Sequence, residues 1–178
     1  MIYNSTPVCC FTGHRPRHLG IKTDGEGFAA LMDWTERIIV YMAEKQGVCR
    51  FISGAAMGSD IYFAEAVIKY REKHRDIILE CAVPFRGQAD RWNRVWRARY
   101  ENILQCANIV TYLQNEYDKG CYERRNRYMV DNSDYVAAIW KGTNGGTRNT
   151  IKYAQGKNKR ICVWDPIKAA EITILPRI

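Results

Sequence analysis

Three glycine-containing turns combine the residue types that bind an anion. TGHRP occupies residues 12–16, SGAAMGSD residues 53–60 and KGTNGGT residues 141–147. Each turn follows a short apolar run and leads toward a predicted helix. Glycine lets a backbone approach a ligand closely, and free N–H groups at a helix N-terminus favour a phosphate. Turns of this kind gather at the carboxyl ends of parallel strands. We therefore expect the three turns to form one pocket for a nucleotide-like ligand.

SGAAMGSD has more small residues in succession than a turn requires. Gly58 can adopt a positive φ, and Ser59 or Asp60 can cap the following helix. One interpretation is a cradle for a phosphate or ribose, and the other is a tight strand-to-helix turn with ordinary capping. We favour the cradle. Its candidate ligand contacts are Ser53, Gly54, Ala55, Gly58, Ser59 and Asp60.

KGTNGGT supplies a second set of candidate contacts. Gly145 and Gly146 leave N–H groups free for a phosphate, while Thr147 or Thr150 can add a hydroxyl. The alternative is a flexible loop of an α/β fold. We expect Gly54→Val and Gly146→Val to abolish ligand binding while the protein stays folded.

TGHRP places a cation and a titratable group beside Gly13. Arg15 suits bidentate contact with a phosphate, although a surface arginine fits the same pattern. His14 and His18 are separated by Pro16, which disfavours a continuous helix, and no matching ligand lies nearby in sequence. No metal site is predicted, and no cofactor beyond the suspected nucleotide-type ligand.

Known nucleotide fingerprints are missing from this sequence. It contains no G-x-G-x-x-G and no G-x-x-x-x-G-K-[ST]. P-loop hydrolysis of ATP therefore has no support.

Two other groups of residues leave alternatives open. Basic, aromatic-rich helical stretches at 91–100 and 122–128 could contact nucleic acid, but the tryptophans fit the core better. Asp131 and Asp134 are either a helix-end and turn pair or a pair that serves a ribose hydroxyl and acid–base chemistry. We favour the first interpretation of the aspartates, and a core role for the tryptophans.

Strands and helices alternate along the chain. Apolar runs predict strands at Val8–Phe11, Cys49–Ile52, Ile77–Val83, Ile109–Leu113, Tyr135–Trp140 and Arg160–Trp164. Periodic segments predict helices over about 28–46, 61–68, 88–105, 121–130 and 147–155, with Gly47 ending the first. The alternation predicts one Rossmann-like α/β domain over residues 1–178, with its core at about 8–164. Its sheet is mostly parallel and has helices on both faces.

Composition limits the class of protein. The chain has 178 residues, of which 47% are hydrophobic, and a formal net charge of +8 that favours anionic partners. Its seven cysteines include no C-x-x-C pair, so we interpret them as reduced. Cys9 and Cys10 are expected to face opposite sides of a strand. No apolar run could span a membrane and no secretory signal is evident, so we predict a cytoplasmic protein.

The ordered motifs resemble the YpsA-like family of the SLOG superfamily, which also contains the DprA/Smf and LOG families. The matching pieces are TGHRPRHLG, SGAAMGSDIYFAEAV, VPFRGQADRW, RNRYMVDNSD and GGTRNTIKYA, in family order over about residues 8–164. The resemblance implies a Rossmann-like domain that binds a nucleotide-derived or phosphoribosyl ligand across the glycine turns. Beyond the turns, the positions carried over are Pro84, Phe85, Gln88, Trp92, Asn126, Asp131 and Asp134.

Two departures from related branches bear on activity. The LOG branch has P-G-G-x-G-T-x-x-E, whereas Thr150 stands here at the position of the glutamate used in nucleoside-monophosphate cleavage. The DprA branch binds single-stranded DNA and often carries an extra domain, which we do not expect in this chain.

A sensor or effector that binds a nucleotide-derived ligand is our first hypothesis. The second is a nucleotide-processing enzyme, such as a lysine decarboxylase-like or LOG-like N-glycoside hydrolase, that uses Asp60, Asp131 or Asp134. Binding of single-stranded nucleic acid is the third. Whether the chain forms a homo-oligomer is left open.

Overall fold

The computed structural model describes residues 6–22, 24–169 and 173–175. The strands are β1 Val8–Gly13, β2 Arg50–Ser53, β3 Ile78–Val83, β4 Ile109–Tyr112, β5 Tyr135–Ile139, β6 Arg160–Trp164 and β7 Thr173–Leu175. The helices are α1 Pro16–Leu19, α2 Glu26–Gln46, α3 Ser59–Arg71, α4 Arg94–Cys106, α5 Cys121–Asp131 and α6 Gly146–Gly156.

The sheet has the order β4-β3-β2-β1-β5-β6-β7. Strands β1 to β6 are parallel, and β7 pairs with β6 in the antiparallel sense. The chain first builds outward from β1 to β4 and then crosses to the other side of β1 to form β5. The strand order therefore reverses between β1 and β5, which is where open α/β sheets bind their ligands. The predicted Rossmann-like fold is confirmed.

Helices cover the two faces of this sheet unequally. Helices α2, α3 and α4 pack along one face, and α5 and α6 cover the other. Cys9 belongs to the core of the first face and Cys10 to that of the second, as the strand alternation predicts. Burial on both faces explains why β1, β2, β3, β5 and β6 are almost continuously apolar, whereas β4 at the edge of the sheet is partly exposed.

Glu80 is a fully buried acidic residue within these strands, and its carboxylate has several hydrogen-bond donors. It is completely buried on β3. Its carboxylate accepts hydrogen bonds from the Arg50 Nε at 2.9 Å and from the Thr111 and Tyr128 hydroxyls, each at 2.8 Å. A buried carboxylate with this many donors is a structural link between β2, β3, β4 and α5.

The helix predicted over 88–105 is shorter than expected. Helix α4 begins only at Arg94, because Asn93 is its N-cap and accepts a hydrogen bond from the Trp96 N–H at 3.0 Å. Val95, in the first turn of this helix, is 68% exposed. Trp92 consequently lies in the preceding turn.

Other boundaries agree with the sequence to within two or three residues. Gly47 ends α2 in the left-handed conformation, with a φ of 69°. The short helix α1 and the edge strand β7 were not predicted. All seven cysteines are free thiols, and five of them are buried. None of the helices in the described ranges is both long and apolar enough to cross a bilayer.

Candidate functional site

A cavity of about 320 Å³ lies outside the carboxyl ends of β1 and β5. Its walls come from the end of β1 with the following turn and α1, the β2–α3 turn with the start of α3, the β5–α6 turn with the start of α6, and the first half of α5. The lining residues from the first three are Thr12–Arg15, Arg17, His18, Ala56, Asp60 and Thr143–Thr147, and those from α5 are Tyr122, Arg125 and Asn126. Sequence-distant turns therefore meet at the point where the strand order reverses.

The N-terminus of α6 opens into this cavity, and no side chain of the described residues caps its free backbone N–H groups. The first backbone bond of the helix joins Asn149 N–H to Gly145 C=O, and Gly145 provides no capping side chain. The first turn contains no acidic residue. Thr147 is only 8% exposed, and its hydroxyl has no hydrogen bond with any described residue. Free donors at a helix N-terminus attract an anion.

The two glycines at this helix end leave the space in front of them open. Gly145 has a φ of 143°, and a Cβ built on it would meet no atom within 4 Å. A Cβ on Gly146 would approach only the Asn126 Nδ2, at 4.0 Å. Nothing in the described protein requires glycine at 146 for packing, whereas a ligand that approaches the helix end closely would.

The glycines of the other two turns pack against the protein itself. A Cβ on Gly54 would overlap the Arg125 guanidinium and lie 2.7 Å from the Asp60 Oδ2. On Gly58, whose φ is 98°, it would lie 2.7 Å from the Pro16 Cδ, and on Gly13 it would lie 2.5 Å from the Ser59 Cβ. Close contacts within the protein require glycine at these positions, so Gly54→Val should destabilise the fold as well as alter the pocket.

Hydroxyl groups in the β2–α3 turn are likewise used internally. The Ser53 hydroxyl donates to the Asp60 C=O at 2.8 Å and accepts from the Ala55 N–H at 3.2 Å. The Ser59 hydroxyl donates to the His14 C=O at 2.8 Å. Gln88 holds the same turn by donating from Nε2 to the Ala55 C=O at 2.8 Å.

Asp60 and Arg125 form a buried charge pair at the cavity wall. They are 6% and 5% exposed, with 3.7 Å between the Asp60 Oδ2 and the Arg125 Nη1. Nη1 also donates to the Gly54 C=O, and Nε donates to the Asn126 Oδ1 at 2.8 Å. Nη2 makes no hydrogen bond with the described residues, so a ligand can use its donors.

Burial dominates the protonation of this pair. It raises the pKa of Asp60 to about 6, although the positive charge of Arg125 opposes the change. It also lowers the pKa of the Arg125 guanidinium, which Asp60 partly offsets. Arginine remains charged at neutral pH. The Asp60 carboxyl is therefore about half ionised near pH 6 and mostly protonated at lower pH.

His14 is a neutral donor in this cavity. Burial, with smaller contributions from Lys141 and His18, lowers the pKa of His14 to about 4. Its Nε2 accepts a hydrogen bond from the Lys141 N–H at 3.3 Å, so the imidazole proton lies on Nδ1. At pH 7 His14 offers a hydrogen-bond donor without positive charge.

Exposed cations complete the mouth of the cavity. The Arg15 Cζ lies 5.5 Å from the centre of the Tyr122 ring, in a cation–π arrangement. Phe85 supports the same ring from an edge, with ring centres 6.1 Å apart. Arg17 donates from Nε to the His18 Nε2 at 2.9 Å. No group of three His, Cys, Asp or Glu suited to a metal occurs among the described residues.

Comparison with known proteins places the chain in a family. The YpsA family model, described as the YspA SLOG family, matches residues 9–164. The chain belongs to this family. The predicted resemblance is confirmed.

Named relatives and solved structures extend this result. The chain is 28% identical over 137 residues to the uncharacterized SPbeta prophage-derived protein YoqJ of Bacillus subtilis, covering 70% of this chain and 80% of YoqJ. It is 29% identical over 136 residues to the UPF0398 protein BH1768 of Halalkalibacterium halodurans, covering 75% and 71% of the two chains.

The structure of DNA processing protein A from Helicobacter pylori, described for its single-stranded DNA binding mode, shares the fold. The TM-score is 0.60 at 19% identity, and the match covers 89% of this chain. This YpsA-family chain spans 65% of the Helicobacter protein.

Several predicted contacts of the YpsA-family chain lie behind the cavity wall or away from it. Gln88 donates to the C=O of Ala55, the neighbour of the lining residue Ala56, and Phe85 packs against the lining residue Tyr122. The Thr150 hydroxyl donates to the Gly146 C=O at 2.9 Å. Pro84 is buried, and Trp92 packs edge-on against Tyr100 with ring centres 5.3 Å apart.

Asp131 and Asp134 do not line the cavity. Asp134 accepts a hydrogen bond from the Val8 N–H at 2.9 Å, at the amino end of β1 and β5. Asp131 contacts the Tyr153 hydroxyl at 3.0 Å and the Lys157 Nζ at 3.4 Å. Of the three aspartates considered for catalysis, the structure brings only Asp60 to the cavity.

The family resemblance pointed to Asn126, which lines the cavity, but sequence reasoning missed Tyr122 and Arg125 on the same helix α5. We interpreted Arg125 as part of a basic stretch, and we did not expect Tyr122 in the pocket. A signal existed, because Arg125 falls four residues after Cys121 and four before Met129, on the buried stripe of α5. A charged residue on such a stripe needs a partner, and here that partner is Asp60.

Proposed function

We propose that the cavity binds the phosphate of a nucleotide-derived or phosphoribosyl ligand at the N-terminus of α6. The observation that carries the proposal is the unsatisfied helix end of Gly145–Thr147, which faces a polar cavity with no acid in its first turn. Arg15, the free Nη2 donors of Arg125 and the Thr147 hydroxyl would complete the anion contacts. A sensor or effector role fits a site built for binding.

The phosphate would not rest on the β2–α3 turn. Asp60 lies in the first turn of α3 and accepts from the Ala56 N–H at 3.4 Å, so a carboxylate already occupies that helix end. A second anion there would face like-charge repulsion. Only Ala56 and Asp60 of this region line the cavity.

Titration calorimetry tests the proposal with AMP, ADP-ribose, NAD and cyclic nucleotides. We expect heat of binding for at least one compound and its loss in Gly146→Val. Gly156→Val is the matched control, because Gly156 lies in the same helix, also faces open space and is absent from the cavity lining. Absence of heat for the whole panel would contradict the proposal.

A reaction at this site would depend on Asp60. Its pKa of about 6 lets the carboxyl exist in both protonation states near neutrality, which acid–base chemistry on an N-glycosidic bond requires. Chromatography for released base after incubation with nucleotides detects such turnover. Turnover that survives Asp60→Asn would exclude this role.

Single-stranded nucleic acid is a second candidate occupant. The Helicobacter protein, which shares the fold, has a single-stranded DNA binding mode, and cations border the cavity of the present chain at Arg15 and Arg17. Retention of an oligonucleotide that falls steeply with salt would favour this candidate. Lack of retention at low salt would exclude it.

A further inference from the structure

A second cavity adjoins the first along the groove between α5 and α6. Its volume is about 530 Å³. Tyr122, Asn126 and Gly146 line both cavities. The two spaces therefore share a wall, and the N-terminus of α6 lies where they meet.

The junction between the cavities is open because residue 146 has no side chain. A Cβ at this position would have only the Asn126 Nδ2 within 4.0 Å. Any larger side chain would enter the space that both cavities share. A phosphate at the helix end would thus lie between two compartments.

The α5–α6 groove has an excess of positive charge. Lys119, Arg127 and Lys152 line it against one acid, Glu123, which pairs with Arg127 at 2.6 Å. Lys119 and Lys152 make no ion pair within the described part of the chain. The Asn149 side chain is exposed there and has no hydrogen bond to a described residue.

Stacking is not how this groove would recognise its occupant. The Arg127 Cζ and the Lys157 Nζ already lie over the Tyr153 ring, at 5.1 Å and 5.3 Å from its centre. The Tyr122 ring, which also lines the groove, has the Arg15 guanidinium over its face. The ammonium groups of Lys119 and Lys152 and the amide of Asn149 have no partner among the described residues. They suit hydroxyl-rich or phosphorylated sugar better than a flat base.

We infer that the ligand consists of two polar halves joined by phosphate, as in a nucleoside diphosphate sugar. The linking phosphate contacts the N-terminus of α6, one half occupies the first cavity, and the sugar half extends into the α5–α6 groove. This inference rests on the proposed function of the first cavity. It adds the length and chemical class of the ligand.

Calorimetry with AMP and ADP-ribose tests the inference on the full chain. We expect ADP-ribose to bind at least about tenfold more tightly than AMP, since it fills both cavities. Asn149→Ala and Lys152→Glu should remove that excess, weakening ADP-ribose about tenfold and changing AMP less than about twofold. Both residues line only the groove.

A matched charge control is Lys45→Glu. Lys45 is an exposed helical lysine on α2, which covers the opposite face of the sheet, and the substitution changes the net charge equally. We expect it to leave the preference for ADP-ribose intact. Thermal unfolding of each variant checks that the fold is unchanged.

The outcomes separate the two proposals. If AMP binds and ADP-ribose gains nothing, or if the gain survives both groove variants, the inference is overturned while the proposed function stands. If neither compound binds, the inference is overturned, and the proposed function fails with it when NAD and the cyclic nucleotides also give no heat. If an oligonucleotide binds and ADP-ribose does not, a nucleic-acid strand replaces the nucleoside diphosphate sugar as occupant and the inference is overturned.

Discussion

The two glycine-rich turns that precede α3 and α6 look alike in sequence and differ in what their glycines face. At the β2–α3 turn, Gly54 and Gly58 make room for Arg125, Asp60 and Pro16. At the β5–α6 turn, Gly145 and Gly146 face open space. The first turn is packed scaffold, and the second is accessible surface.

Electrostatics separates the same two turns. The N-terminus of α3 carries Asp60 in its first turn, whereas that of α6 carries no acid. Where a carboxylate already interacts with the positive end of the helix dipole, an external anion is attracted less strongly. Small residues at a strand-to-helix turn therefore indicate a ligand site only when the helix end is also free.

The largest expected effect that tests this contrast is the instability of Gly54→Val. The added side chain would overlap the Arg125 guanidinium and separate it from Asp60. Breaking a buried pair costs about 3–5 kcal/mol, so we expect a comparable fall in the free energy of unfolding. Denaturant titration measures it, with Gly156→Val as control. A stable Gly54→Val protein would show that the turn is not packed scaffold.

Arg125→Met tests the same scaffold from the other side. Removing the guanidinium leaves Asp60 buried without its partner, and we expect a loss of about 3 kcal/mol. The double variant Arg125→Met/Asp60→Asn should recover part of this loss, since no buried charge remains. Denaturant titrations of the two single variants and the double variant measure the coupling. Strictly additive losses would mean that the two side chains do not interact.

The pH dependence of stability gives a smaller effect. The pKa of Asp60 rises from 3.8 to about 6 on folding, so the folded protein binds the proton more tightly. This stabilising contribution is complete at low pH and is lost as the pH rises from about 4 to about 6. Its size is up to about 3 kcal/mol. Urea titrations across this range measure it, and Asp60→Asn should lack this component. An identical profile in both proteins would refute the assignment.

Gly146→Val has the smallest expected effect on stability. No described atom other than the Asn126 Nδ2 lies near the added Cβ, so the free energy of unfolding should change by less than about 1 kcal/mol. Ligand binding should nevertheless be lost, because the side chain occupies the space in front of the helix end. Calorimetry with AMP and ADP-ribose, paired with thermal unfolding, separates the two effects.

Apolar runs were enough to predict six of the seven strands in the described sheet. Six strands agree with the sequence to within two residues, because buried parallel strands read as continuous apolar segments. The start of α4 was missed because Asn93, a capping residue, was overlooked within a helical pattern.

The candidate site was only partly predictable. The approach of residues 12–15 to residues 143–147 follows from strand order, which glycine turns can indicate. The buried stripe of α5 indicates that Arg125 needs a partner, but that partner lies 65 residues earlier in the chain, so no local pattern identifies it. Whether the space beside each glycine is filled or open likewise depends on tertiary packing, which the spacing of residues in the sequence does not reveal.

Strand order also determines when this crevice can exist during synthesis. The His14–Lys141 bond joins residues 127 positions apart, and the Arg125–Gly54 bond joins residues 71 apart. A nascent chain that has completed β4 has half a sheet and only one side of the crevice. Contacts of such long range form late in folding. We therefore expect the chain to bind its ligand only after β5 has paired with β1. Ligand binding would then distinguish the folded chain from one that is still incomplete.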